Sequence, residues 1–350
     1  MTIRWRVVGT ALLLPVVLAS CAAAPGATEE PGTVTNGGRP VTSRPAVSVP
    51  SVPSPSGFVP SFPGDVAPGS VRWGSSISGN GDPVARHEST AGVPLGVRRT
   101  FYGWDQRTGS MVRNARNDIA AGRLPWVSIK TPGWAAVASG AYDAQIDEML
   151  RALDSVGGPV WFTAHHEPEG GNGTAYPDEG QGSEKNWRAM QIKIRERMDV
   201  VQTRNIAFAS ILMSWTFNPQ SKRNPADWWV DGIWDFAGVD YYNDKESRPS
   251  METDQWTATR AFYGAKGLKI GVAEWGNRGT DVTAANEMTG WYEMALRSAG
   301  QPGLSQVIGL SYFDSGLNSP TGAWTLAGEP LNRFRQILGL PNSISVNEVG

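Results

Sequence analysis

Short apolar segments alternate with amphipathic segments from Val71 onward, and this alternation limits the possible folds more than any other feature of the chain. The apolar segments are rich in Val, Ile, Phe and Trp, which favour β-strands. The segments between them place apolar residues at helical spacing, most regularly after Asp143. The predicted strands are Val71–Ile77, Gly96–Tyr102, Pro125–Lys130, Pro159–Ala164, Ile206–Met213, Phe236–Asn243, Lys269–Gly276 and Val307–Phe313. The predicted helices cover about 110–121, 253–264 and 331–338, and three more begin at Asp143, begin at Glu184 and surround Met288–Ala295.

Eight strands that alternate with helices over one domain are typical of a (β/α)₈ barrel. The rival fold is a doubly wound open sheet, which usually carries a glycine-rich phosphate-binding turn after its first strand. The corresponding turn reads Ser-Ile-Ser-Gly-Asn-Gly-Asp over 76–82 and lacks that fingerprint. We therefore predict an α/β fold, a (β/α)₈ TIM barrel, over residues 69–345.

The N-terminus has the pattern of an export signal. Arg4 and Arg6 precede an apolar run from Val7 to Leu18 that is too short to span a membrane comfortably. The run ends in Leu-Ala-Ser-Cys, which resembles the lipobox of bacterial lipoproteins, and Cys21 is the only cysteine of the chain. We predict a lipoprotein signal peptide over residues 1–21 with lipidation at Cys21; an ordinary signal peptide is the alternative. A single cysteine cannot form an internal disulfide.

Residues 22–68 are rich in Pro, Ser, Thr, Val and Gly and show no apolar periodicity, which predicts a disordered linker. The linker would hold the folded domain away from the membrane.

The net charge is −2 and 18% of the residues are charged, so no basic surface for nucleic acid is indicated. We expect the protein to be a monomer. It would be lipid-anchored to the outer face of the cytoplasmic membrane or secreted, and it would contact the membrane only through a lipid at Cys21.

Two glutamates stand at the ends of predicted strands. Glu167 follows the fourth strand, and Glu274 lies near the end of the seventh. A parallel barrel presents its chemistry at the carboxyl ends of its strands, so both carboxyls would open onto one cleft. Glycoside hydrolysis needs two such groups, one protonated and one ionised. Competing carboxylates are Glu169, Asp240 and Asp314.

The histidines do not predict a metal centre. His165 and His166 are adjacent, and His87 is the only other histidine. This spacing fits neither a His-x-His pair nor a helical metal motif, so we predict neither a metal nor another cofactor. We expect His166 to hydrogen-bond near the acid/base glutamate or the sugar and His165 to point into packing.

Four of the fifteen tryptophans fall at or just beyond strand ends, where an indole face can stack on a sugar ring. They are Trp104, Trp134, Trp215 and Trp275. We predict substrate contact for these four and core positions for tryptophans such as Trp126 and Trp161.

The two glutamates also carry a family resemblance. A glutamate that follows the fourth strand between a polar residue and a proline, together with a glutamate ending the seventh strand, resembles clan A of the retaining glycoside hydrolases. The residue before this first glutamate is His166, and this resembles glycoside hydrolase family 26, the β-mannanase family, which has a histidine at that position. The resemblance spans about residues 70–340 and implies that Glu167 is the acid/base and Glu274 the nucleophile. The segment Asp240-Tyr241-Tyr242-Asn243 resembles the family's Asp-x-Tyr, which implies that Tyr242 supports the nucleophile.

Two positions depart from the family pattern. Thr163 stands where the family usually has an arginine, and Tyr312 and Phe313 stand where it usually has a tryptophan. We expect an exported retaining endo-β-glycosidase of a mannan-type polysaccharide or mixed-linkage β-glucan. An enzyme of the cell's own envelope polysaccharide and a glycan-binding lipoprotein without activity are the alternatives.

Overall fold

A computed structural model describes residues 57–170, 181–242, 250–316 and 324–348. In this part of the chain, eight parallel strands pair in sequence order and close into a barrel through β1 and β8. The strands are β1 (Arg72–Ile77), β2 (Val97–Tyr102), β3 (Leu124–Ile129), β4 (Val160–Ala164), β5 (Ile206–Met213), β6 (Phe236–Tyr242), β7 (Ile270–Gly276) and β8 (Val307–Asp314). The helices are α1 (Ser89–Ala91), α2 (Ser110–Ala120), α3 (Trp134–Ala138), α4 (Asp143–Asp154), α5 (Glu184–Val201), α6 (Asp254–Gly264), α7 (Val282–Arg297) and α8 (Gly328–Leu338). The predicted (β/α)₈ TIM barrel is confirmed.

The helices pack through the apolar stripes read from the sequence. In α4, the predicted stripe of Ile146, Met149, Leu150 and Leu153 is fully buried, with at most 1% of any side chain exposed. Burying these side chains holds the helix on the barrel, because about 25 cal/mol is gained per Å² of apolar surface removed from water. Among the described residues, no helix is both long and apolar enough to cross a membrane.

Large and small side chains alternate inside the barrel. The indoles of Trp126 and Trp161 meet edge to face with their ring centroids 5.2 Å apart, and both are fully buried. The facing strands supply glycines: a Cβ at Gly271 would lie 2.7 Å from Trp126, and one at Gly309 would lie 2.8 Å from Trp161. Close packing of the barrel interior therefore requires these small residues opposite the two tryptophans.

The chain before β1 packs against the amino ends of the strands. Phe62 and Val66 are buried in the same core cluster as Trp161, whose indole N–H donates to the carbonyl of Pro63 at 3.2 Å. Lys269 pairs with the buried carboxylate of Asp65 at 2.6 Å. The predicted linker boundary at residue 68 is therefore wrong, since residues 62–66 belong to the fold. Residues 1–56, which include Cys21, lie outside the described residues.

Candidate active site

A cavity of about 340 Å³ opens at the carboxyl ends of the strands and brings Glu167 and Glu274 together. Glu167 belongs to the turn that follows β4, and Glu274 lies in β7. His166, Phe101 and Phe313 line the same cavity. Apart from the two glutamates and His166, its lining consists of serine, glycine, asparagine and apolar side chains.

The turn that carries Glu167 has an unusual backbone. His165 has φ 56° and Glu167 has φ 51°, a left-handed conformation that costs L-residues about 1–2 kcal/mol each. Main-chain bonds to both neighbouring strands hold it: the N–H of His165 donates to Ile129 at 2.8 Å, and the N–H of Glu167 donates to Ile211 at 2.9 Å. Strain of this kind is retained where the surrounding structure over-determines the backbone, and it clusters at functional sites.

Glu274 has positive or donating groups at both carboxylate oxygens. The hydroxyl of Tyr242 donates to Oε2 at 2.7 Å, and Nη2 of Arg99 lies 4.0 Å from Oε1. Burial raises the pKa of Glu274, since only 7% of the residue is exposed, while Arg99 and Tyr242 act in the opposite direction. Its surroundings therefore favour the ionised carboxylate more than those of Glu167 and Asp240 do.

The buried carboxyls of Glu167 and Asp240 are close enough to affect each other's ionisation. No N–H or O–H group of the described residues donates to either oxygen of Asp240, so no hydrogen bond from these residues stabilises its ionised form. Burial and the negative charge of Glu274 raise the pKa of Glu167 to about 8. Burial also raises the pKa of Asp240 well above its usual range. At neutral pH the pair holds a proton, which makes Glu167 suited to act as an acid.

Arg99 is a central cation of the site and was not predicted from the sequence. It is fully buried, and its guanidinium carbon lies 4.6 Å from the ring centre of Phe101 and 5.4 Å from that of Trp126. Burial lowers the pKa of Arg99, and the nearby carboxyls of Asp240, Glu274 and Glu167 oppose this shift. The signal was present: two adjacent arginines in a barrel strand point to opposite faces, so one must point into the barrel. Arg98 points outward to Asp118 at 2.9 Å.

Thr163, one of the departures from the family pattern, is buried inside the barrel. Thr163 accepts a hydrogen bond from the indole of Trp126 at 3.2 Å. The guanidinium near the glutamates is that of Arg99, in β2.

A second residue that was not predicted from the sequence is Trp324, which packs on Tyr242 with ring centroids 4.7 Å apart. Gly276 permits this approach, because a Cβ there would lie 2.6 Å from the indole.

The two adjacent histidines point in different directions, as predicted. The ring of His166 lines the cavity, and its Nδ1 lies 2.8 Å from Oγ of Ser128. Burial, with Lys130 and Arg99 nearby, holds the pKa of His166 well below its usual range, so its imidazole is neutral. His165 is buried and meets Trp134 edge to face at 5.0 Å.

The four strand-end tryptophans do not behave alike. Trp134 and Trp275 are buried in the fold, with at most 1% exposed, so the prediction that they stack on a sugar is wrong for both. Trp275 packs against Trp73 and Tyr312, because its position directly after Glu274 turns it to the opposite face of β7. Trp104 is partly exposed beside Tyr142, and Trp215 is 42% exposed after β5.

Two of the competing carboxylates, Asp314 and Glu169, lie apart from the cavity lining. Asp314 is held by Arg86 at 2.6 Å and by His87 at 3.1 Å. Glu169 is fully buried and accepts bonds from Met213, the last residue of β5, and from Thr216 in the loop that follows. In the described ranges, no group of three or more His, Cys, Asp or Glu side chains has the arrangement of a metal site.

The barrel with two strand-end glutamates has a glycoside hydrolase family 26-like fold. The chain is similar in structure to the catalytic domain of a Bacillus sp. JAMB-750 GH26 endo-β-1,4-mannanase, with a TM-score of 0.54, 14% identity and coverage of 85% of this chain and 95% of that one. It is also similar to a modular endo-β-1,4-mannanase from Cellulomonas fimi, with a TM-score of 0.53, 14% identity and coverage of 80% and 73%. A GH26 β-mannanase from Bacteroides ovatus gives a TM-score of 0.51 at 14% identity, with coverage of 80% and 91%. No protein-family model matches the sequence, and neither does any curated protein.

Proposed function

We propose that this protein is a glycoside hydrolase that cleaves β-glycosidic bonds of a polysaccharide with retention of configuration. The observation that carries the proposal is the unlike surroundings of the two glutamates in one cavity. Burial and the charge of Glu274 raise the pKa of Glu167 to about 8, while Glu274 faces Arg99 and the hydroxyl of Tyr242. An acid and an ionised carboxylate on either side of one bond are the two groups that this reaction needs.

The first step forms a covalent intermediate. Glu167 gives its proton to the glycosidic oxygen, and a carboxylate oxygen of Glu274 attacks the anomeric carbon. The bond to the leaving sugar breaks, and its electron pair stays on the protonated oxygen. In the second step Glu167, now ionised, takes a proton from water, which attacks the anomeric carbon and releases Glu274. Two inversions give net retention, which requires the two carboxyl groups to be about 5–5.5 Å apart.

The lining of the cavity is suited to an uncharged sugar as substrate. Phe101 and Phe313 offer apolar ring surfaces, while Ser76, Ser78 and Asn80 supply polar groups without charge. No lysine or arginine side chain of the described residues lines the cavity to bind a uronate. Together with the mannanases of the same fold, this favours a β-mannan or a mixed-linkage β-glucan cleaved internally.

The experiment is reducing-sugar release from mannans, mixed-linkage glucans, xylans and envelope glycans, with Glu167→Gln and Glu274→Gln as variants. We expect release from a neutral β-glycan by the unaltered protein and loss of it in both variants. Binding of a glycan without release by any of the three proteins would instead identify a glycan-binding lipoprotein. Release from an envelope glycan alone would assign the enzyme to the cell's own wall.

Export with lipidation at Cys21 is part of the same proposal. The basic residues, the apolar run and the single cysteine of the N-terminus support it. In a bacterial host the full chain should incorporate labelled palmitate and fractionate with membranes, and Cys21→Ala should abolish both. Incorporation by the Cys21→Ala variant would contradict lipidation at this cysteine.

A further inference from the structure

The turn after β4 has its polar backbone groups bonded from several sides. Beyond the main-chain bonds of His165 and Glu167, the helix α5 contributes two side chains. The amide of Gln191 donates to the carbonyl of Ala164 at 2.7 Å, and the indole of Trp187 donates to that of His165 at 3.3 Å. Lys130 donates to the carbonyl of His166 at 3.1 Å. These bonds fix the first half of the turn, up to the residue before Glu167.

In the second half, the side chain of Glu169 adds to the main-chain bonds of Glu167 and Gly170. Its Oε1 accepts the backbone N–H of Met213 at 2.7 Å and the hydroxyl of Thr216 at 2.9 Å. The strand β4 ends at Ala164, whereas β5 continues to Met213, so Met213 has no strand residue beside it on this side. The Glu169 carboxyl takes the place of a strand carbonyl and joins the turn to the end of β5.

Glu169 is not itself placed to react with substrate. The residue is fully buried and does not line the cavity that Glu167 and Glu274 share. Its Oε2 is buried and receives no hydrogen bond from any of the described residues. A buried carboxyl with an unsatisfied oxygen is costly, and burial raises the pKa of Glu169 to about 7. The free-energy cost of burying the Glu169 carboxyl implies that this side chain has a specific role.

We propose that Glu169 is a positioning residue that clamps the strained turn to β5 and thereby fixes the carboxyl of Glu167 in the cavity. Only Pro168 separates the two glutamates, so the clamp acts directly on the left-handed backbone of Glu167. The main-chain bond from Gly170 to the carbonyl of Glu167, 3.0 Å long, closes the turn between them. This inference rests on the proposed function, in which Glu167 donates a proton to the leaving oxygen.

The kinetic test compares aryl β-glycosides of the sugar found by the glycan panel. Departure of 2,4-dinitrophenolate needs no proton, whereas departure of phenolate does. In Glu169→Ala we expect kcat/KM for the phenyl glycoside to fall ~10- to 100-fold, as for a misplaced catalytic group, with little change for the dinitrophenyl glycoside. Thr216→Val, which removes one of the two donors, should show the same bias to a smaller degree. Glu169→Gln, which keeps an oxygen for both donors, should restore most of the activity on the phenyl glycoside. Equal losses on both glycosides would overturn the positioning role.

The second test needs no activity. In Glu169→Ala, or in Thr216→Val should the alanine variant not fold, hydrogen exchange should accelerate at the amide of Glu167 and stay unchanged at the amide of His165, which is bonded to β3. An unchanged Glu167 amide would overturn the clamp. Absence of glycan cleavage by the unaltered protein would refute the proposed function, while the exchange result would still decide whether Glu169 holds the turn.

Discussion

The hydroxyl of Tyr242 donates a 2.7 Å hydrogen bond to Oε2 of Glu274. The bond stabilises the negative charge of this carboxylate, whereas Glu167 is buried near two other acids, Asp240 and Glu274, and its pKa is raised. The two glutamates of one cavity therefore differ in the groups that surround their carboxyls. This difference supports the assignment of Glu274 as nucleophile and Glu167 as acid/base.

Removal of the Tyr242 hydroxyl should shift the acidic limb of the pH profile. The hydrogen bond favours ionised Glu274, so Tyr242→Phe raises the pKa of Glu274, and the active ionised form appears only at higher pH. We expect kcat/KM to fall by roughly 10- to 100-fold, the equivalent of one hydrogen bond to a charged group. The measurement is kcat/KM against pH. Tyr241→Phe is the matched control, because that hydroxyl bonds Thr253 instead of Glu274; an acidic limb that moves equally in both variants would contradict the assignment.

Arg99 should be required for activity at neutral pH. Arg99→Met leaves Asp240 and Glu274 in a buried site without their cation, so the carboxyls retain protons and Glu274 is no longer ionised. We expect kcat/KM to fall by roughly 100- to 1000-fold, since loss of one partner from a buried charged group costs several kcal/mol. Arg98→Met, which affects the outward contact with Asp118, should lower the melting temperature more than the activity. Activity of Arg99→Met within a few-fold of the unaltered protein would refute the role.

The raised pKa of Glu167 should make the protein less stable as pH rises. The ordinary pKa is 4.5 and the pKa in the fold is about 8. Below the ordinary value both folded and unfolded chains hold the proton; between the two values only the folded chain holds it, so stability falls until pH reaches about 8. Glu167→Gln does not titrate, so its melting temperature should exceed that of the unaltered protein by an amount that grows over this interval, on the order of 2–5 °C.

Melting curves from pH 4 to 9 measure this difference. Glu196→Gln, at an exposed position of α5, is the control and should show no such growth. A Glu167→Gln variant that is less stable than the unaltered protein at pH 8 would contradict the raised pKa.

Trp215 and Trp275 should respond to truncation in opposite ways. Trp215 is 42% exposed after β5, so Trp215→Ala should weaken substrate binding and raise KM with little change in melting temperature. Trp275 is 1% exposed among aromatic rings, so Trp275→Ala should destabilise the fold by about 3–5 kcal/mol. Kinetics and thermal unfolding of the two variants test this. Unchanged KM in Trp215→Ala would remove this tryptophan from the set of substrate contacts.

The fold was accessible from the sequence because each element has a strong local pattern. The fifth strand, Ile206–Met213, has the predicted bounds, and α4 begins at the predicted Asp143. The pairing of Glu167 with Glu274 followed from the rule that strand ends meet at one rim. The directions of individual side chains were less accessible, since a strand-end position does not say which way Trp134 or Trp275 points. Arg99 was missed because its strand was read for apolar content alone, without separating its two faces.

The roles of the two glutamates can be tested most directly by adding azide to Glu167→Ala and Glu274→Ala and determining the anomeric configuration of the products by ¹H NMR. The substrate is an activated aryl β-glycoside of the sugar found by the glycan panel. If Glu167 is the acid/base, azide enters after the covalent intermediate forms, and Glu167→Ala gives the β-glycosyl azide. If Glu274 is the nucleophile, azide replaces it, and Glu274→Ala gives the α-glycosyl azide. Rescue of neither variant, or the same anomer from both, would contradict the two-carboxyl mechanism.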